Sequence, residues 1–215
     1  FVIIKYMKAE IIPAINTDAF EEVKRKIGLV EHYVKWIQLD ITDGTFTKNT
    51  TWHDSADLLS LKTSLNIEVH LMINNIEERV ENWIIAPIKR IIFHLEAAKD
   101  PDFVIEKCRK AGKEVGIAIN PDTAWTKLVP YFKKVDLFQI LGVSPGLAGQ
   151  KFSEDNLDKI IHLRKECPEC IIEVDGGMNK ETVRKVINAG ANIIVAASAI
   201  FDSKDISKAI KALKE

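Results

Sequence analysis

Cysteine is scarce in this chain: Cys108, Cys167 and Cys170 are the only three in 215 residues. They are too few and too clustered for a disulfide framework, and the pair in C-P-E-C has no second pair to complete a zinc site. Reduced, packed thiols are the expectation. Charge of one sign is also missing, with Lys+Arg 30 against Asp+Glu 31. That balance recruits neither nucleic acid nor an anionic membrane surface. No apolar run approaches the roughly 20 residues that span a bilayer. The opening F-V-I-I-K-Y-M-K lacks the longer apolar region and the small-residue cleavage site of a signal peptide, so a cytoplasmic location is expected. Trp36, Trp52, Trp83 and Trp125 are scattered, which excludes a stacking platform and leaves packing. There is no linker, low-complexity tract or shift in composition, so one domain is expected.

Apolar residues make up 47% of the chain, ample for a core. They recur as short β-branched runs, each followed by a polar stretch with helical spacing, the alternation of a parallel sheet covered by helices. The runs are Glu10–Ile15, Trp36–Asp40, Asn66–Leu71, Arg90–Leu95, Glu114–Ile119, Leu137–Leu141, Ile171–Asp175 and Ile193–Ala196. Helical spacing falls on Asp18–Val30, Ile76–Trp83, Asp102–Lys110, Ser153–Lys165 and Lys180–Ala189, with Gly112 and Gly190 as stops. Eight strand–helix units in this length predict an α/β fold, a single-domain (β/α)8 TIM barrel. Residues 1–7 read as an N-terminal extension, Met7 being a natural start, and 8–215 as the barrel.

The active site of such a barrel lies at the C-terminal rim of its strands. Asp40 in Q-L-D-I-T-D-G, His70 in E-V-H-L-M and Asp175 in E-V-D-G-G all fall there, as do His94, Asn120 and Ser198. Two carboxylates and an imidazole from separate strands can hold a divalent metal and move a proton on and off carbon. His94 and Glu96 read instead as a buried histidine satisfied by a neighbouring carboxylate. Three small-residue loops lie on neighbouring strands: Gly146, Leu147, Ala148 and Gly149 after the sixth, Gly176 and Gly177 after the seventh, Ala197 and Ser198 after the eighth. Loops of this kind point backbone amides at an anion, so a phosphorylated ligand is expected.

Taken in order, I-I-P-A-I, Q-L-D-I-T-D-G-T-F, E-V-H-L-M-I, F-H-L-E-A, G-I-A-I-N-P-D-T, V-S-P-G-L-A-G-Q-K-F, I-E-V-D-G-G and A-A-S-A-I-F resemble the ribulose-phosphate 3-epimerase family from Ile11 to about Phe201. The resemblance implies a metal-dependent isomerase that inverts C3 of a ketose phosphate, D-ribulose 5-phosphate to D-xylulose 5-phosphate, through an enediolate. By position it assigns Asp40 and Asp175 as catalytic acid and base. Asp40, His70 and Asp175 become ligands of a divalent ion, which could be zinc, iron, manganese, cobalt or magnesium. The fourth ligand is expected at residue 38. It places Ala14, His70, Met72, Gly146, Leu147, Ala148, Gly149, Gly176, Gly177, Ala197 and Ser198 at the substrate and its phosphate. Related barrels commonly associate, so a homo-oligomer is a further expectation.

Departures from the family cluster at the rim. Gln38 offers an amide oxygen where a histidine is expected, a weak ligand for zinc or iron, and shifts preference toward manganese or magnesium. Ala14 replaces a serine that contacts substrate. Thr42 and Leu141 stand in two methionine places, with Met72 kept. Gly142 replaces a threonine, and Ala148 and Ala197 replace glycines. Two explanations compete: an epimerase with shifted metal or sugar preference, or a noncatalytic sugar-phosphate-binding or structural barrel. Retention of both aspartates favours the first, since neither folding nor phosphate binding needs two carboxylates facing one pocket. The pairing of those aspartates with His70 also weighs against a metal-free phosphate-using barrel enzyme.

Overall fold

The chain's structure, a computed structural model, describes residues 9–85, 87–146 and 150–215. The N-terminal extension expected at residues 1–7 lies outside the described residues. Eight parallel strands follow in chain order: β1 (Glu10–Ile15), β2 (Trp36–Thr42), β3 (Asn66–Met72), β4 (Ile88–His94), β5 (Glu114–Ile119), β6 (Leu137–Leu141), β7 (Ile171–Asp175) and β8 (Ile193–Ala196). Each pairs with its sequence neighbour, and β8 returns to β1, with Ile11 opposite Ile194, so the barrel is closed.

Alternation along the strands sorts the core. In β8, Ile193 and Val195 join Ile12, Ala14, Ile92, Ala118 and Leu137 inside the barrel, whereas Ile194 and Ala196 face the surrounding helices. The covering helices are α1 (Phe20–Val30), α2 (Ile76–Arg79), α3 (Pro101–Lys110), α4 (Asp155–Glu166), α5 (Lys180–Ala189), α6 (Ser198–Phe201) and α7 (Ile206–Leu213). Local chemistry sets their starts. Asp100 caps the Phe103 N–H just ahead of Pro101, and Asn179 with Thr182 forms a reciprocal capping box. The helix expected over Ile76–Trp83 is α only to Arg79 and continues as a 3₁₀ turn through Trp83. After β2 and β5 the cover is 3₁₀, at Ser55–Ser60 and Trp125–Tyr131, the second containing Pro130. No helix among the described residues is long and apolar enough to cross a membrane.

One expectation is corrected. Cys167 and Cys170 form a disulfide, while Cys108 is a buried free thiol. The turn from α4 to β7 explains the pairing: the Cys170 N–H bonds the Cys167 carbonyl and brings the two Cα atoms to 5.4 Å, within disulfide range. Arg164 ties this turn down by donating to the carbonyls of Pro168 and Cys170 at 2.7 and 2.8 Å.

Strand register sets the heights at which side chains enter the barrel. Asp40 lies opposite His70, and Leu141 opposite Asp175, at the C-terminal ends. Two residues earlier on the same face come Gln38 opposite Glu68 and Gln139 opposite Glu173. Beneath the rim there is accordingly a polar layer of Gln38, Glu68, Arg90, Gln139 and Glu173, all buried.

Candidate active site

Asp40 at the end of β2, His70 on β3 and Asp175 at the end of β7 converge at the mouth of the barrel. His70 Nδ1 stands 3.4 Å from Asp40 Oδ1 and 3.4 Å from Asp175 Oδ2. The imidazole is buried, whereas the carboxylates keep 11% and 15% exposure toward the cleft above. That cleft is lined by Asn16, Asp40, His70, Met72, Leu141, Asp175 and by the loop residues Val143, Ser144, Pro145, Gly146, Gln150, Gly176, Gly177, Met178, Ala197 and Ser198.

Gln38 supplies the contact that joins the two acids. Its Nε2 donates to Asp40 Oδ1 and to Asp175 Oδ2, each at 2.7 Å. Its oxygen points the other way and accepts from Gln139 Nε2 at 2.8 Å, and that nitrogen also donates to Glu173 Oε1 at 2.8 Å. An amide nitrogen with two hydrogens bridges two carboxylates as a small cation would, though with far less charge.

Burial alone would lower the His70 imidazole, but the Asp175 and Asp40 carboxylates beside it outweigh that and raise it to about 9. Burial raises the Asp175 carboxyl above its ordinary value; the His70 contact opposes the rise and the Asp40 charge adds to it. In the layer below, burial lifts Glu173 to about 7 and holds Glu68 well above the carboxylate range, the neighbouring Glu173 adding to it and Arg90 opposing. Arg90 Nη1 donates to Glu68 at 2.6 Å, its Nη2 lies 2.6 Å from Glu114, and the guanidinium lies over the Trp36 ring.

His70 has a second neighbour. Its Nε2 is 2.9 Å from His94 Nε2, and His94 Nδ1 is 3.3 Å from Glu96 Oε2. The expected pairing of buried His94 with Glu96 is present, and the contact from His94 to His70 extends it. Burial pushes His94 down to about 4. Burial works to raise Glu96, but donors from His94, Thr123 and Asn120 prevail and bring it to about 2.

The donor set suits a divalent ion on one face. Asp40, His70 and Asp175 offer ligand atoms within 4.8 Å of one another, and buried His70 Nδ1 has no hydrogen-bond partner. Gln38 does not offer its oxygen, which Gln139 holds; turning the amide over would break that bond.

The remaining expected residues are placed as follows. Met72, Gly146, Gly176, Gly177, Ala197 and Ser198 line the cleft. Leu147, Ala148 and Gly149 lie outside the described residues. Ala14 sits opposite Gln38 inside the barrel, packed with Ile12 and Ile92 beneath the cleft. Gly177 has φ +71°, and a Cβ there would lie 2.4 Å from the Phe152 nitrogen. A Cβ on Gly142 would lie 2.5 Å from the Gly176 carbonyl and 2.5 Å from the Phe152 ring, which accounts for the missing threonine.

Sequence reasoning missed Asn16, which lines the cleft and donates to the Gly146 carbonyl at 3.2 Å, and Asn49, which donates to the same carbonyl at 2.8 Å. It also missed the Gln38–Gln139 link. A signal for the buried polar layer, though not for its pairing, was available: in Q-L-D, E-V-H and E-V-D a polar residue stands two places before each rim residue, hence on the same inward face.

A closed (β/α)8 barrel with two carboxylates and an imidazole meeting at its mouth defines the class, a TIM-barrel protein with a candidate active site at its C-terminal rim, and comparison narrows it. Residues 10–201 match the ribulose-phosphate 3 epimerase family, and the chain belongs to that family. A chloroplastic ribulose-5-phosphate-3-epimerase of Arabidopsis thaliana is 36% identical, the match covering 98% of this chain and 78% of that protein. A cytoplasmic-isoform ribulose-phosphate 3-epimerase of Oryza sativa subsp. japonica is 31% identical over 96% of this chain and 93% of its own length. A mutant tryptophan synthase α-subunit of Pyrococcus furiosus superposes with a TM-score of 0.69 at 16% identity, covering 97% of this chain and 96% of that one, a likeness of fold alone. The chain is an enzyme of the epimerase class.

Proposed function

We propose that the chain inverts C3 of a ketose phosphate, with D-ribulose 5-phosphate and D-xylulose 5-phosphate as the pair and Asp40 and Asp175 as the two proton-transfer groups. The observation that carries this reading is the convergence of both carboxylates on one buried imidazole at the floor of an open cleft. Delivered by β2 and β7, they enter from different sides of the barrel. One takes the C3 proton from one face of a flat substrate segment and the other returns a proton to the opposite face. Burial and the Asp40 charge raise Asp175, which makes it a better base than a solvated carboxylate.

Asp40, His70 and Asp175 would hold a divalent cation, manganese or magnesium being preferred over zinc because oxygen donors dominate. Such an ion supplies Lewis-acid stabilisation of the negative charge that builds on the substrate oxygens. The chain's own contribution is to hold the two acids at a fixed separation through Gln38 and to close the site from below with the buried layer of Gln38, Glu68, Gln139 and Glu173. Amides near Gly146, Gly176 and Gly177 and the Ser198 hydroxyl, beside Ala197, receive the phosphate. Met72 and Leu141 flank the sugar. We place the enzyme in the cytoplasm, as the name of the rice relative does for that protein.

The Gln38 bridge favours a second reading, since an amide already joins the two acids: a barrel that binds a sugar phosphate without turning it over. One experiment separates the two. D-ribulose 5-phosphate is incubated in D₂O with the protein and with Mn²⁺, Mg²⁺, Co²⁺, Fe²⁺ or Zn²⁺ in turn, and C3 is followed by proton NMR. Loss of the C3 proton signal with formation of D-xylulose 5-phosphate is expected. Absence of exchange with every ion overturns catalysis and leaves the binder.

A further inference from the structure

We propose that Glu96 and His94 are positioning residues that select which nitrogen of His70 faces the two aspartates. The proposal rests on the reading of His70 as a cation ligand only in its final step.

The chain of contacts starts outside the cleft. Glu96 lies in the 3₁₀ turn Leu95–Ala97 after β4, and its Oε1 accepts the Asn120 N–H at 2.8 Å and the Thr123 hydroxyl. With Oε1 receiving two donors, Glu96 is a carboxylate, and Oε2 requires a hydrogen from His94 Nδ1, 3.3 Å away. A neutral imidazole carries one N–H, so His94 Nε2 is then a lone pair. That lone pair meets His70 Nε2 at 2.9 Å, so His70 Nε2 must donate. Nothing else is left for the cleft but His70 Nδ1, the atom 3.4 Å from both aspartates and without a hydrogen-bond partner of its own.

Polarity thus runs in one direction, from Glu96 through His94 to His70. Both rings are buried and meet edge to edge, with planes 24° apart and centroids 5.1 Å apart, and Phe46 lies 4.5 Å from the His94 ring. A His70 that carried its single hydrogen on Nδ1 would present an N–H, not a lone pair, to any cation.

Glu96→Gln tests the direction. Oε1 of the introduced amide is retained by Asn120 and Thr123, which leaves NH₂ where Oε2 was. His94 Nδ1 must then accept, its hydrogen moves to Nε2, and His70 Nε2 must give up the hydrogen it donates in wild type, so that a His70 with one hydrogen keeps it on Nδ1. The readout is the long-range proton–nitrogen correlation of both rings in ¹⁵N-labelled, chelator-treated protein. Wild type is expected to show His94 with Nδ1 protonated and Nε2 bare, and Glu96→Gln the reverse. A bare Nδ1 on wild-type His94, or an unchanged pattern in the variant, overturns the proposal, and the wild-type measurement alone decides if the variant does not fold. Titration with Mn²⁺ alone, read by loss of the free-ion electron paramagnetic resonance signal, is expected to weaken about 10–100-fold in Glu96→Gln. Reversed tautomers with undiminished Mn²⁺ binding leave the relay standing and remove His70 from the ligand set.

Discussion

Gln139 Nε2 donates to Gln38 Oε1 at 2.8 Å, deep in the barrel and 101 residues away in the chain. That bond turns the Gln38 nitrogen toward Asp40 and Asp175. An imidazole at the same position would present a lone pair there instead. Gln38→His is therefore expected to tighten Mn²⁺ or Zn²⁺ binding about tenfold or more, measured by equilibrium dialysis. Gln139→Leu strips donors from both Gln38 and buried Glu173 and is expected to cost about 1–3 kcal/mol, read from urea unfolding.

Asp40→Asn and Asp175→Asn keep shape and remove the base. Each is expected to lower epimerisation by about 10²–10⁴-fold, in line with the usual contribution of a positioned acid or base. Circular dichroism should be unchanged. Single-turnover proton exchange at C3 distinguishes the two, because the variant that retains the abstracting aspartate still washes out the substrate proton.

Without added cation, His70 and His94 tilt stability in opposite directions with pH, and Glu173, raised from 4.5 to about 7, adds a contribution that is complete below 4.5 and is lost as pH climbs through 7. His70 rises to about 9 from an ordinary 6.5, so its contribution is complete below 6.5 and is lost as pH climbs through 9. His94 falls to about 4, so its contribution is complete above 6.5 and is lost as pH drops through 4. The alkaline loss is on the order of 3 kcal/mol. Thermal unfolding across pH 4–9.5 checks this, and Mn²⁺ is expected to flatten the alkaline limb, since the ion takes the place of the His70 proton.

Gly142→Thr, which restores the residue common in the family, should harm this chain. Its Cβ would press on the Phe152 ring and the Gly176 carbonyl, each at 2.5 Å. A loss of about 1–3 kcal/mol is expected. Adding Phe152→Ala relieves one of the two contacts, so the pair should be less destabilised than the sum of the single changes, measured by a double-mutant cycle in urea.

Much of the barrel was legible because its grammar is local. β1, β5, β6, β7 and β8 have the boundaries their apolar runs predict, each run ending at a polar residue or a turn. β2 and β3 run on to Thr42 and Met72, since the rim residues Asp40 and His70 are not the last to pair. β4 begins two residues earlier, at Ile88, with a shift in register between Ile67 and Glu68, and stops at His94 because Leu95 opens a 3₁₀ turn. The convergence of Asp40, His70 and Asp175 followed from strand ends sharing one rim. What local pattern could not carry was the partnering of Gln38 with Gln139, or of His70 with His94. The first crosses the barrel interior and the second joins the neighbouring strands β3 and β4 at different heights, so their geometry depends on how far each strand slides against its neighbours. The Cys167–Cys170 link was likewise a matter of one turn's shape, not of cysteine count.

Gln38 and Asp175 touch across 137 residues of chain, from β2 to β7, and they do so only because β8 has returned to β1. A half-barrel fragment would carry one acid or the other and no mouth between them. Cation uptake by this protein is thus a gauge of whether the last stave has been set in place, and a refolding experiment followed by Mn²⁺ capture would time the completion of the cylinder itself.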